Sequence, residues 1–183
     1  MDIQPMLRSL EQTAFSQWVT LNPFGFRVFE TLHVIAVVLV FGSILVVDLR
    51  LLGFPSTRQS FREIAGDALR WTWIAFTLAV VTGFVMFTSK PVAYSQNPFF
   101  LIKLGLLALA GINMLVFELV LVRTVERWDR DVPTPVSVRL AGTLSLLLWL
   151  SVIFAGRWIG FYEPPGPTVD AATLPDVFGG APF

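Results

Sequence analysis

Residues 29–54 have the sequence FETLHVIAVVLVFGSILVVDLRLLGF, and this stretch decides the fold. It is almost entirely apolar and exceeds the roughly 20 residues that a helix needs to cross a bilayer. Two titratable residues, Glu30 and His33, nevertheless lie near its start, and His33 is the only histidine of the chain. The stretch therefore predicts a transmembrane helix with a polar pair close to one membrane surface.

Three further apolar runs are long enough to cross a bilayer. They are WTWIAFTLAVVTGFVMFT (71–88), FFLIKLGLLALAGINMLVFELVLV (99–122) and VRLAGTLSLLLWLSVIFAGRWIGFY (138–162). The runs are continuous rather than alternating, which favours helices over the strands of a membrane β-barrel. We therefore predict an all-α integral membrane protein, a four-helix up-down bundle with spans near 28–53, 68–88, 99–124 and 138–161.

The composition also indicates a membrane protein. Only 14% of the residues are charged, whereas a soluble domain carries about 25%, and the mean hydropathy is +0.70. The chain has no cysteine, which excludes disulfides, thiolate metal sites and iron–sulfur clusters within it. The net charge of zero gives no electrostatic sign of a nucleic-acid partner, and none is expected. The first twenty residues lack the features of a signal peptide.

The segments on either side of the predicted bundle, residues 25–162, have a different character. Residues 1–24 predict one amphipathic helix in the membrane interface, because apolar residues recur at helical spacing. Residues 163–183 are rich in Pro, Gly and Ala and predict a flexible tail. The apolar stripe of the N-terminal segment comprises Leu7, Leu10, Ala14, Trp18 and Leu21.

The distribution of basic residues predicts the orientation. Cytoplasmic loops are enriched in Lys and Arg, and one side of the bundle has eight such residues against three on the other. We therefore expect both termini to lie outside the cytoplasm. The richer side has Arg50, Arg58, Arg62, Arg70, Arg123, Arg127, Arg130 and Arg139, and the poorer side has Arg8, Arg27 and Lys90.

One polar cluster is predicted in the outer third of the bundle. At 100° per residue, Glu30 and His33 lie on one stripe of the first span, and a polar stripe should face the bundle interior. Alternating spans bring further polar or sulfur-bearing residues of the other three helices to the same depth. These are Thr82, Met86, Lys103 and Arg157.

Each of these residues also has a simpler interpretation. Lys103 and Arg157 could extend to the headgroups, and Met86 could fill the core. His33 could be a packing residue whose tautomer is fixed by Glu30. At the other depth, Asp48 and Glu118 lie near arginines and are expected to form solvated interfacial pairs.

Several motifs resemble known families. FETLHVIAVVLVFGSILVVDLRLLGF, AVVTGFVMF, NPFFLIKLGLLALAGIN and FAGRWIGFY resemble a widespread bacterial membrane family of unknown function over Phe24 to Tyr162. More distantly, the pattern is similar to the CopD copper-resistance membrane domain and to HemJ, the protoporphyrinogen oxidase. Both families have a histidine early in the first span and a lysine early in a later span, and these map onto His33 and Lys103 of this chain. The Thr82-Gly83 pair matches a T-G pair that CopD domains tend to have in the preceding span. The resemblance implies a location in the bacterial inner membrane. The similarity to HemJ implies a b-type haem held by the histidine, and the similarity to CopD implies a link to copper.

Three functions are consistent with these observations. The first is a redox-linked protein carrying haem b, with His33 as axial ligand, oriented by Glu30, and with Met86 as the candidate second ligand. Lys103 and Arg157 would then receive the haem propionates. The second is a small carrier or copper-related permeation protein. The third is an accessory or assembly subunit without chemistry, in a homo-oligomer or a membrane complex; the short loops confine any enzymatic activity to the membrane.

Overall fold

The computed structural model describes residues 3–54, 60–129 and 132–162, and within these ranges every regular element is helical. Four of the helices are long and apolar enough to cross a membrane. The predicted all-α fold with four spans is therefore confirmed, and the chain is a multi-pass membrane protein in contact with the lipid bilayer. The α-helices of these described ranges are α1 (Gln4–Glu11), α2 (Ala14–Leu21), α3 (Gly25–Leu52), α4 (Phe61–Ser89), α5 (Pro91–Gln96), α6 (Pro98–Val116) and α7 (Val136–Ile159).

The four long helices pack in the spatial order α4, α3, α7, α6. Helices α3 and α7 approach closely at Gly142, where a Cβ would lie 3.1 Å from Leu51 Cβ and 3.4 Å from the Asp48 carbonyl oxygen. Between α3 and α4, the Thr72 hydroxyl donates to Ser43 Oγ at 2.7 Å. We call the end at which α3 begins and α7 ends the terminal end, and the other the opposite end. The flexible tail predicted at 163–183 lies outside the described residues.

The N-terminal segment forms two short helices instead of the single predicted one. Thr13 separates them because its backbone is extended and its side chain accepts a hydrogen bond from the Ser16 N–H, which caps α2. Helix α2 packs against the end of α4, where the Ser16 hydroxyl donates to the Thr88 carbonyl at 2.6 Å. Val19 is fully buried, whereas Trp18 and Leu21 of the predicted stripe are exposed. The break rotates α2, so that a different face packs on the bundle.

The third span departs from α-helical geometry before its predicted end at residue 124. A π-helical turn at Phe117–Leu121 and a 3-10 helix at Val122–Arg127 follow α6. This path brings Trp128 into the core at the opposite end, where its ring lies 5.2 Å from that of Phe61 and its Nε1–H donates to Thr124 Oγ1. The core there comprises Leu51, Phe61, Ala65, Val125, Trp128 and Val138.

Asp129 ties this connection to the start of α4. Its carboxylate accepts hydrogen bonds from the Ser60 hydroxyl at 2.8 Å and from the Arg62 N–H at 3.1 Å. Its carbonyl oxygen accepts from the Phe61 N–H and, at 2.7 Å, from Arg50 Nη2. Partial burial favours the neutral acid, but the hydrogen bonds and the charge of Arg62 outweigh it and hold the pKa of Asp129 below its usual range.

Asp129→Asn should make the protein less stable at neutral pH, with a smaller effect in acid. Because the folded-state pKa of Asp129 lies below its ordinary value of 3.8, the carboxylate stabilises the fold above about pH 4, and this stabilisation is lost as the pH falls through the lowered pKa. Denaturant unfolding of both proteins in detergent at pH 7 and pH 3 measures the difference. An equal difference at the two pH values would contradict the assignment.

Asp48 differs from the expected solvated interfacial carboxylate. It is 4% exposed, and its side chain is hydrogen-bonded to Ser145 of α7. Its Oδ2 atom is buried and has no hydrogen-bond partner in the described part of the chain. The expectation is therefore wrong for Asp48, because the close approach of α3 and α7 removes it from the surface. The side chain of Glu118 lies outside what the structure describes.

Candidate functional site

His33 is held by α4 through one edge of its ring. Its Nδ1 lies 2.9 Å from the Ala79 carbonyl oxygen and 3.1 Å from Thr82 Oγ1. A carbonyl oxygen can only accept, so Nδ1 must carry a proton. The Thr82 hydroxyl donates to the Leu78 carbonyl at 2.7 Å, which leaves its oxygen as a second acceptor for His33. In the neutral ring, Nε2 therefore has a lone pair, and it makes no hydrogen bond within the described residues.

Gly83 makes room for the imidazole ring. A Cβ on Gly83 would lie 3.0 Å from His33 Cε1 and 3.4 Å from Nδ1. The first distance is shorter than ordinary van der Waals contact, so any larger residue would press on the ring. The glycine thus allows α3 and α4 to approach closely enough for His33 to reach the backbone of α4. The Nδ1–Cε1 edge of the ring is closed by this contact.

Lys103 of α6 comes from the other side of the bundle. A Cβ on Gly156 of α7 would lie 3.5 Å from Lys103 Nζ. The Lys103 side chain is half-buried, and its charge acts electrostatically on the His33 ring. No hydrogen bond or ion pair joins Lys103 to another residue of the described ranges. The four long helices therefore contribute to one site, the His33–Lys103 cluster, which consists of His33, Thr82, Gly83, Lys103 and Gly156.

Glu30 does not turn into the bundle with His33. It is exposed, and its charge acts on Tyr94 of α5. The reason is helical rotation: Ala36 is fully buried, and His33 lies about 60° from it around the helix but Glu30 about 120°. The Ala79 carbonyl and Thr82, instead of Glu30, fix the His33 tautomer.

Arg157 turns away from the His33–Lys103 cluster, whereas Met86 lies on the face of α4 that contacts His33. Arg157 is exposed, and its guanidinium carbon lies 4.6 Å from the centre of the Phe161 ring. It follows Gly156 directly and so points about 100° away from the face that contacts Lys103. Met86 is half-buried and lies one turn beyond Thr82, towards the end of α4. Of the residues predicted to form the outer polar cluster, the structure therefore brings together His33, Thr82 and Lys103.

Sequence reasoning missed the parts of this site that have no distinctive side chain. The Ala79 acceptor is a backbone carbonyl. Gly156 has no functional group, although a glycine inside a membrane helix is a known sign of close helix contact. Gly83 was visible in the sequence only as part of the Thr82-Gly83 pair.

Two cavities in the described part of the chain lie away from the cluster, since neither is lined by His33 or Lys103. One, of about 670 Å³, lies between α1, α5 and the end of α7. The other, of about 220 Å³, lies between the end of α3 and the start of α7. Within the described ranges, no group of three or more His, Asp or Glu side chains is arranged to hold a metal ion.

Comparison with known proteins yields one match. A family model described as "Family of unknown function (DUF6644)" matches residues 14–162. No curated protein and no solved structure matches. The resemblance to a family of unknown function is thus confirmed, whereas the resemblance to CopD and HemJ receives no support.

Proposed function

Because the chain belongs to the DUF6644 family of unknown function, we propose a function from its own site: a redox-linked membrane protein in which the His33–Lys103 cluster holds a b-type haem. The observation that carries the proposal is the state of the His33 ring. Its Nδ1–H donates to the Ala79 carbonyl at 2.9 Å, and a histidine that binds a metal through Nε2 usually donates its other ring N–H in this way. The ring is therefore oriented and has its ligating nitrogen free.

Lys103 supplies the second element of the proposed site. It is a half-buried cation whose charge reaches the His33 ring. An ammonium group in a site of low dielectric constant binds carboxylates well, so Lys103 would receive a haem propionate. Glu30 and Arg157 are exposed and have no part in the proposed site, whereas Met86 remains the candidate second ligand. A bound haem would supply one-electron transfer.

Binding of a haem requires space that the present packing closes. Gly83 already contacts the Nδ1–Cε1 edge of His33, and neither of the cavities described above is lined by His33. A group bound at Nε2 would therefore require the helices to open at this level. The donor atoms fit the group, and the helix packing has to change to admit it.

Haem binding by His33 predicts a visible absorption spectrum. The protein, expressed with added haem precursor and purified in detergent, should show a Soret band that His33→Ala abolishes and Lys103→Met shifts or weakens. Glu30→Gln is the matched control and should retain the band, because Glu30 is exposed and does not orient the ring. Folded wild-type protein without a Soret band, or a band that survives His33→Ala, would contradict the proposal.

A second function is favoured by the tight contact between His33 and Gly83. As an accessory subunit without chemistry, the protein would use His33 only to join α3 to α4. In that case the wild type shows no Soret band, and His33→Asn, whose amide can still donate to the Ala79 carbonyl, keeps most of the stability that His33→Ala loses. A Soret band that depends on His33 would exclude this alternative.

A further inference from the structure

The larger cavity lies at the terminal end, apart from the His33–Lys103 cluster. It has a volume of about 670 Å³, and its walls come from α1, from α5 with the residues beside it, and from the end of α7. Helix α1 packs against α5, and Leu7 is the buried residue of α1. A cavity of this size is within the range of binding sites for small molecules and lipid headgroups. The lining residues that carry the argument are Arg8, Glu11, Lys90, Tyr94 and Gln96.

Asn97 fixes two walls of the cavity relative to each other. Its Oδ1 accepts hydrogen bonds from the N–H groups of Phe99 and Phe100 at the start of α6. Its Nδ2 donates to the Ile159 carbonyl at the end of α7 at 3.1 Å. Asn97 is 6% exposed, so this connection is protected from water. The wall at the end of α5 is therefore hydrogen-bonded to the wall at the end of α7.

The charged groups of the cavity favour an anion. Arg8 and Lys90 are exposed cations, and neither forms an ion pair with a residue of the described ranges. Glu11 is the one acidic residue of the lining, so the lining has a net charge of +1. Burial and the charge of Glu30 raise the pKa of Tyr94, so its phenol keeps its proton and can donate a hydrogen bond.

The position of the cavity indicates where such an anion would come from. Helix α5 joins the end of one membrane-spanning helix, α4, to the start of the next, α6. This connection therefore lies at the level of the membrane surface, where phospholipid phosphates lie. We propose that the cavity binds the headgroup of an anionic phospholipid, with Arg8 and Lys90 on the phosphate. Glu11 and Gln96 offer acceptors to headgroup hydroxyls such as those of glycerol.

Thermal unfolding of delipidated protein in neutral detergent tests this inference. Phosphatidylglycerol should raise the melting temperature more than phosphatidylcholine does. The double variant Arg8→Gln/Lys90→Gln should lower the apparent affinity for phosphatidylglycerol at least about tenfold, because it removes both charge-assisted contacts. Arg123→Gln/Arg127→Gln is the matched control at the opposite end, where both side chains are exposed, and should leave the shift unchanged.

Inorganic phosphate distinguishes a lipid from a soluble ligand. Little or no shift with phosphate, together with a shift by phosphatidylglycerol that the double variant removes, supports the lipid. A shift with phosphate alone, removed by the same variant, would overturn the lipid as the source and assign the site to a soluble phosphate. Equal shifts in wild type and double variant, or no shift with either ligand, would overturn the site itself.

Discussion

Trp128→Ala should lower the free energy of unfolding by about 3–5 kcal/mol, the usual loss when a large aromatic side chain is removed from a core. Trp128 is 1% exposed and packs beside Phe61, Val125 and Val138. Its removal leaves a cavity where the end of the 3-10 helix meets the starts of α4 and α7. The Thr124 hydroxyl also loses the hydrogen bond that it accepts from the indole N–H. Equilibrium unfolding in mixed detergent micelles measures the loss.

Trp71→Ala is the matched control for this measurement. Trp71 is 65% exposed, and substitutions at exposed positions usually change stability by less than about 0.5 kcal/mol. The same truncation of an indole is thus compared at a buried and an exposed position. Similar losses in the two variants would show that Trp128 is not part of a packed core.

Gly83→Val should destabilise the bundle by about 1–3 kcal/mol, as overpacking of a filled interior does. A Cβ at this position would lie 3.0 Å from His33 Cε1. The ring cannot move away without stretching its 2.9 Å contact with the Ala79 carbonyl. Unfolding in mixed micelles measures the cost. Gly105→Val on α6 is the control and should be nearly neutral, because a Cβ there meets nothing within 4 Å.

A second substitution identifies the cause of the Gly83 effect. If the valine clashes with the imidazole, Gly83→Val should cost much less in a protein that already has His33→Ala. Residues in contact show such non-additivity, whereas independent sites add. A Gly83→Val cost that is unchanged by His33→Ala would mean that the glycine serves another purpose in α4.

The four spans were predictable because the bilayer imposes a simple requirement on the sequence. Each crossing needs a continuous apolar run of about 20 residues, and the runs of this chain are separated by charged or Pro-containing segments. The same rule cannot predict rotation about the helix axis. Glu30 and His33 were placed together from their spacing, yet packing against α4 buries part of His33 and leaves Glu30 exposed.

Local geometry accounts for the parts of the fold that were missed. The break at Thr13, the π-helical turn at Phe117–Leu121 and the short helix α5 each depend on a few hydrogen bonds. An apolar pattern of helical period does not change at such points, so it predicted one N-terminal helix and a third span that continues as an α-helix to residue 124. The tertiary contacts of Trp128 and Ser16 are formed only after these irregularities are in place.

The site was predictable in depth but not in detail. Alternation of the spans placed His33 and Lys103 near the same end of the bundle, and the structure brings them together. The atoms that orient His33 are a backbone carbonyl and the Thr82 hydroxyl. Every residue has a backbone carbonyl, so the sequence does not indicate which one accepts the hydrogen bond from His33. The Ala79 carbonyl could be identified only from coordinates.

The unequal lengths of α4 and α6 have a consequence for the membrane that surrounds the protein. Helix α4 has 29 residues and α6 has 19, which correspond to about 44 Å and about 28 Å, whereas the hydrocarbon layer is about 30 Å thick. Helix α4 therefore exceeds that layer, and its first ten residues, which include Arg62, Glu63, Asp67 and Arg70, should project from the hydrocarbon into the headgroup region. Helix α6 nearly matches the layer, and the mostly apolar π-helical turn at Phe117–Leu121 continues its crossing. Hydrophobic mismatch costs a fraction of a kcal/mol per Å and is relieved by tilting or by local thinning. In a thicker bilayer, the polar start of α4 should therefore project less far from the membrane.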